Sequence, residues 1–211
     1  MTYRFIPLTR AVALGVALAS LGGCIPLLVG GAVMGGLVAT DRRTSGTVVE
    51  DEGIELKAAL RIRDNLGQRV HVNVTSYNRQ VLLTGEVPSA QDRQLVELAV
   101  AQTENVRNVV NEIAVLGSST FSQRSYDVVV TGRIKAALLD AKDLFSNSFK
   151  IVTERGTAYV MGRVTQREAN RATDLITSTQ GVQKVVRVLE IISEEELART
   201  LPAPAPGTTK N

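Results

Sequence analysis

A run of five segments that occurs twice in the same order constrains this chain of 211 residues more than any other feature. In the first copy Ile54, Ala58, Ile62 and Leu66 recur every four residues, with Glu55, Lys57, Arg61 and Arg63 between them. That is helical spacing, with Asp51 as a candidate cap. The period then drops to two: Val70, Val72 and Val74 alternate with His71 and Asn73, Asn78-Arg79 supplies a turn, and Val81 to Val87 returns, which predicts a hairpin. Pro88-Ser89 stops the strand and opens a second helix, expected to turn Leu95, Leu98, Ala99 and Gln102 to one face. Val106, Val109, Val110, Ile113 and Val115 make the closing strand.

The same order returns further along. Lys57-Ala58-Ala59-Leu60 is matched by Lys135-Ala136-Ala137-Leu138, Val72-Asn73-Val74-Thr75 by Phe149-Lys150-Ile151-Val152, and Leu83-Thr84-Gly85-Glu86-Val87 by Val160-Met161-Gly162-Arg163-Val164. Arg155-Gly156 replaces the turn, and Val182-Gln183-Lys184-Val185-Val186 answers to Val106-Arg107-Asn108-Val109-Val110. An α+β fold follows, with an α-β-β-α-β unit in each copy: a three-stranded mixed sheet with two helices on one face, because a parallel return needs a crossover helix. Gly85 and Gly162 mark a bulge or a close approach of another backbone, expected where the helix leaving the strand crosses back over the sheet. Units of about 65 residues are near the size at which one core only just suffices, so packing of the copies on each other is an expected source of stability.

The domains implied are 51–116 and 126–192, joined by a linker over 117–125 around Gly117-Ser118-Ser119-Thr120. The polar stretch Thr40 to Thr47 closes a linker over 24–50. The acidic and Pro-Ala-rich tail over 193–211 has the composition of a disordered segment.

Before the repeats, Leu21-Gly22-Gly23-Cys24 reads as a lipobox: small residues before the cut and a thiol after it, to carry fatty acyl chains. Arg4 and Arg10 followed by the apolar run Ala11 to Leu21 have the form of a signal peptide over 1–23. The alternative is an uncleaved membrane helix continuing through Met34, against which stand the glycines at 22, 23, 30, 31, 35 and 36 and Pro26. Several acyl chains on Cys24 hold a protein firmly to its membrane. Cys24 is also the only cysteine, so acylation excludes disulfides and cysteine-ligated metals, and we expect no metal site and no cofactor.

The units ending in Leu-Thr-Gly-Glu-Val and Val-Met-Gly-Arg-Val, with the closing Gly-Val-Gln-Lys-Val-Val, resemble the BON domain. Two in tandem behind a lipobox, with Thr40-Asp41-Arg42-Arg43-Thr44-Ser45-Gly46-Thr47 before the first, resemble the dual-BON outer-membrane lipoproteins. That resemblance implies a non-enzymatic periplasmic protein on the inner leaflet of the outer membrane, supporting envelope integrity and associated with the division site. It also implies affinity of the second BON domain for anionic phospholipid. Ile25 after the acylated cysteine, where an Asp would retain such a lipoprotein at the inner membrane, favours the outer membrane.

Charge points to the second copy independently. Residues 51–116 carry seven basic and nine acidic side chains, and residues 126–192 carry ten and seven. Within it Val130, Ile134, Ala137, Leu138 and Ala141 form a core stripe. Val129, Leu139, Arg133, Lys135 and Lys142 lie outside it, giving either an apolar and basic face for lipid or a solvated face whose Val129 and Leu139 pack on the first copy. One dual-BON member of that family has a tryptophan at the start of this helix, where this chain has Val129; Tyr126, one turn earlier, is the candidate interfacial aromatic.

A second class of function is an interaction module whose sheet edges or helix faces dock an envelope protein, such as the outer-membrane protein assembly machinery. No nucleic-acid partner is expected from a net charge of +3 with 4% aromatics. Catalysis has little to work with: one histidine, His71, which reads as an ordinary strand residue, no spare thiol and no phosphate-binding glycine loop, so no catalytic residue is assigned.

Overall fold

The computed structural model describes residues 41–200; Cys24, the predicted signal peptide, most of the predicted first linker and the tail beyond 200 lie outside the described residues. Helix α1 (Ser45–Leu66) leads into the antiparallel hairpin β1 (His71–Tyr77) and β2 (Gln80–Val87). Helix α2 (Ala90–Ala101) then crosses over to β3 (Asn108–Asn111) and β4 (Ala114–Val115), both parallel to β2. The second unit repeats this with α3 (Phe121–Asp140), β5 (Phe149–Glu154), β6 (Thr157–Thr165), α4 (Gln166–Thr177) and β7 (Lys184–Ile192), in the sheet order β5-β6-β7. The α+β architecture is the expected one. The closing strand of the first unit, however, is broken at Glu112–Ile113, where Ile113 turns into the core and its amide donates to Asn111 Oδ1 at 3.1 Å.

Both hairpins turn through two residues of positive φ, Asn78 (51°) with Arg79 (63°) and Arg155 (49°) with Gly156 (72°), the conformation that matches the twist of the flanking strands. One aspartate on each preceding helix holds the turn. Asp51 accepts from the amides of Asn78 and Arg79, both at 2.8 Å, and from Ser76 Oγ at 2.7 Å. Asp127 accepts from the amides of Arg155 (2.8 Å) and Gly156 (2.9 Å).

Asp51 is therefore not a helix cap. That role belongs to Thr44, whose side chain accepts from the Thr47 amide. The equivalence of Asp51 with Asp127 also aligns Ile54 with Val130, Ala58 with Ile134 and Ile62 with Leu138, the buried stripes of α1 and α3. The two Lys-Ala-Ala-Leu stretches are thus two residues out of step, and their likeness is not a structural one.

Each sheet has one face on its own helices. Ile54, Ala58, Ile62, Val81, Leu83, Val96 and Val100 fill the first core; Val130, Ile134, Leu138, Ile151, Val160 and Ile176 are among those filling the second. On α2 the inner face is Asp92, Val96 and Val100, whereas Leu95 and Leu98, expected inside, are exposed. The i, i+4 spacing from Asp92 sets that choice: Ser89 caps the helix and its hydroxyl donates to Asp92 Oδ2 at 2.7 Å.

Gly85 and Gly162 do mark a close approach, but of β1 at Gly85 and of the residue just before β5 at Gly162 rather than of the following helix. A Cβ on Gly85 would sit 2.1 Å from the His71 carbonyl oxygen, and one on Gly162 2.4 Å from that of Ser148.

The opposite faces of the two sheets pack on each other through Tyr77 and Leu82 from the first unit and Tyr159, Met161 and Val188 from the second. The order of layers is helices, sheet, sheet, helices. Burial pushes the Tyr77 and Tyr159 hydroxyls up to about 12. Around this seam Lys150 Nζ donates to Glu55 Oε1 (2.6 Å) and to the Ser76 carbonyl (3.1 Å), and Asn78 Nδ2 to Glu190 Oε2 (2.8 Å).

Two predicted connectors are structured. The segment before α1, read as a spacer, is a strap: Arg42 pairs with Glu168 of α4 and donates to the Arg163 carbonyl at 2.9 Å, while Arg43 pairs with Asp51 at 2.8 Å and stacks 4.2 Å over the Tyr77 ring. The tail expected to be disordered from residue 193 opens with helix α5 (Glu194–Thr200), where Leu197 is buried and Glu196 pairs with Arg163.

Candidate membrane-facing surface

Helix α3 begins earlier than the hydrophobic spacing suggested. Thr120 and Gln123 form a reciprocal capping box, so the residues assigned to the end of a linker are its first turn. Because Asp127, Val130, Ile134 and Leu138 face the core, the opposite stripe runs through Phe121, Val128 and Leu139, which are 80%, 71% and 68% exposed. Arg124 and Lys135 flank that stripe on one side, Val129 and Arg133 on the other, all exposed. Along the described helix the acidic residues are Asp127, committed to the hairpin turn, and Asp140 at the end.

Of the six predicted lipid contacts, Val129, Arg133, Lys135 and Leu139 share this outward arc. Neither Val129 nor Leu139 is buried against the first unit. Arg133 Nη1 donates to the Gln180 carbonyl at 3.2 Å, leaving the charge at the surface. Lys142 is exposed beyond the end of the helix. Tyr126 lies on the flank against Gly181, where a Cβ would come within 2.9 Å of its hydroxyl. Phe121, Arg124 and Val128 lie on the same exposed arc and are not among the predicted contacts, although the Thr120-x-x-Gln123 pattern carries the signal that the helix starts there.

Lys135 and Leu139 also border a cavity of about 430 Å³ whose wall includes Asp41, the first described residue. The polypeptide therefore enters the described fold beside the outward face of α3.

A second concentration of ionisable groups sits at the rim of the seam. Glu86, 1% exposed, takes Arg155 Nε at 2.6 Å, the Ser119 hydroxyl at 3.2 Å and its amide at 3.3 Å, while its Oε2 lies 2.9 Å from His71 Nδ1. Burial pushes this carboxyl up, yet the hydrogen bonds from Arg155, His71 and Ser119 more than offset that and hold it below the usual range. Glu154, across the seam, is held above the usual range by burial, with only the Asn73 amide and the more distant His71 ring working against it. His71 does lie on a strand, as read from the alternation, but it is engaged with a carboxylate of the adjacent strand.

The sequence profile of the BON domain matches residues 54–117 and again 126–193. The chain belongs to the BON-domain family. Among relatives of this BON protein, the outer membrane lipoprotein DolP of Haemophilus influenzae is 32% identical over 188 residues, covering 88% of this chain and 97% of DolP. The 21 kDa hemolysin of Actinobacillus pleuropneumoniae is 29% identical over 154 residues, covering 72% of this chain and 79% of that protein. Among the described residues of the BON protein, no helix is long and apolar enough to cross a membrane.

Proposed function

We propose that this BON protein is a periplasmic lipoprotein of the outer membrane, acylated at Cys24, whose second BON domain rests on anionic phospholipid through α3 and so supports envelope integrity, with the division site as one place of action. The observation that carries this is the outward stripe Phe121, Val128 and Leu139, flanked by Arg124, Lys135 and Arg133 and free of carboxylates until Asp140. An interfacial helix needs that composition, because apolar groups enter the acyl boundary while cations stay among the phosphates. The anchoring half is supported by the lipobox and by similarity to a relative named an outer membrane lipoprotein. At ~3.3–3.6 Å per residue fully extended, the chain between Cys24 and Asp41 keeps the folded part within roughly 60 Å of the membrane.

Binding of the Cys24→Ser chain to vesicles with and without phosphatidylglycerol tests this reading. Salt-sensitive binding to the anionic vesicles alone is expected. Arg124→Glu together with Lys135→Glu weakens it at least ~30-fold, from about 1 kcal/mol for each basic residue near the surface. Undiminished binding of that variant removes α3 as the contact.

A protein-docking reading is favoured by one feature of the first domain. Val49, Leu56 and Leu60 form an exposed ridge on α1 opposite its buried stripe. A crosslinked envelope protein that persists in the charge-reversed variant supports docking independent of lipid.

A further inference from the structure

We propose that His71, Glu86 and Glu154 form a site for one divalent transition-metal cation of the zinc class, bridging the two BON domains. His71 opens β1 and Glu86 is its direct cross-strand partner on β2. Glu154 ends β5 in the second domain. One donor atom from each of the three lies within 4.8 Å of the others, so a single ion with bonds of ~2.0–2.2 Å gathers them by small side-chain adjustments. The 2.9 Å between His71 Nδ1 and Glu86 Oε2 already suits two neighbouring ligands on one ion.

Surrounding groups favour the assignment. Arg155 and Ser119 fix the Glu86 carboxylate and Asn73 holds Glu154, the kind of outer contacts that orient metal ligands. Asp127, with both oxygens on turn amides, adds negative charge without competing as a donor. Glu86 is paired with Arg155, whereas Glu154 has no ion-pair partner among the described residues, and Arg124 and Lys135 stand on the wall of the adjoining cavity. A divalent ion gives the Glu154 carboxylate a cationic partner. Access is open: a cavity of about 560 Å³ is bordered by His71, Asn73 and Glu154, leaving room for water as a further ligand. One imidazole with two carboxylates suits zinc and its neighbours better than calcium or magnesium, which take oxygen alone. Because the donors come from both domains, the bound ion ties them together.

The test titrates ZnCl₂ into the full chain in detergent micelles, with Cys24→Ser to remove the competing thiol, against a chromophoric chelator. His71 is the only histidine, so its ring resonances report the site unambiguously. One zinc per chain, a shift of those resonances and a zinc-dependent rise in Tm are expected. His71→Gln and Glu154→Gln, both at the accessible rim, should each weaken binding at least ~10-fold and abolish the rise in Tm. Unmoved His71 resonances, or zinc binding by Glu154→Gln equal to that of the parent chain, overturns the proposal. Binding at another stoichiometry that ignores both variants does the same.

Discussion

Arg42 places two guanidinium nitrogens on the carboxylate of Glu168, at 2.7 and 2.8 Å, with only 4% and 1% of the two side chains exposed. The pair joins the strap before the first domain to a helix of the second. Removing one partner strands the other charge inside the protein, so Arg42→Ala should cost about 3–5 kcal/mol of unfolding free energy. Replacing both by methionine should recover much of that loss, because a buried pair owes little net stability to its charges. Urea unfolding of the single and double variants measures both outcomes.

Acid should weaken the fold through the same groups. Burial pushes the carboxyls of Asp51 and Glu168 up, but hydrogen bonds to Asp51 from Ser76, the Arg79 amide, Arg43 and the Asn78 amide, and to Glu168 from Arg42 and the Thr165 amide, leave both below their usual range. A depressed carboxyl contributes stability that is in place above its unfolded value and is lost as pH falls through its folded value. The contribution of Asp51 and Glu168 to the unfolding free energy is therefore expected to be level from pH 7 to about 5 and to drop below about 4, while Glu154, held above its usual range, works in the opposite sense as pH falls. Asp51→Asn should start less stable at pH 7 and decline less steeply, in urea curves taken across that range.

Two glycines should respond in opposite senses to the same change. Gly85→Ala drives a methyl group into the His71 carbonyl at a φ of 108°, and loss of the folded state at 37 °C is expected. Gly53, within α1, has nothing within 4 Å of the added carbon. Gly53→Ala should stabilise by about 0.5–1 kcal/mol from helix propensity alone. Thermal unfolding followed by circular dichroism distinguishes the two.

Met161 is wholly buried where the sheets meet. Met161→Ala should cost about 2–5 kcal/mol through lost burial and the cavity left behind. Because the residue belongs to both domains' shared packing, hydrogen exchange should accelerate in β1 and β2 as well as in β5 and β6. Acceleration confined to the second half would mean that the domains unfold separately.

The repeat was legible because strand alternation and two-residue turns survive divergence between the copies, as the matched hairpins show. Helix phase was harder to read. On α2 the leucines at 95 and 98 outweigh the smaller Val96 and Val100, and the anchoring of Asp92 by Ser89 and by Arg69, at 2.7 Å, marks the side that faces in. The Lys-Ala-Ala-Leu coincidence misled for a similar reason: local identity was stronger than the pattern set by one turn-binding aspartate per copy. Of the α3 surface, Val129, Arg133, Lys135 and Leu139 were found from periodicity, whereas Phe121 was assigned to a linker. The strap of Arg42 and Arg43 reads as a polar spacer until its partners, more than a hundred residues away for Glu168, are known. Nothing in the alternating pattern alone sets His71 and Glu86 beside Glu154, since that meeting depends on how one sheet lies against the other.

The stacking of sheet on sheet also limits how the halves of this protein can be studied. Cut between Leu116 and Phe121, the first half would present Tyr77 and Leu82 to water, and the second Tyr159, Met161 and Val188. A severed half would then carry a newly made sticky surface unrelated to anything the intact molecule displays. Any attraction it showed for detergent, vesicles or other proteins would describe the wound rather than the protein.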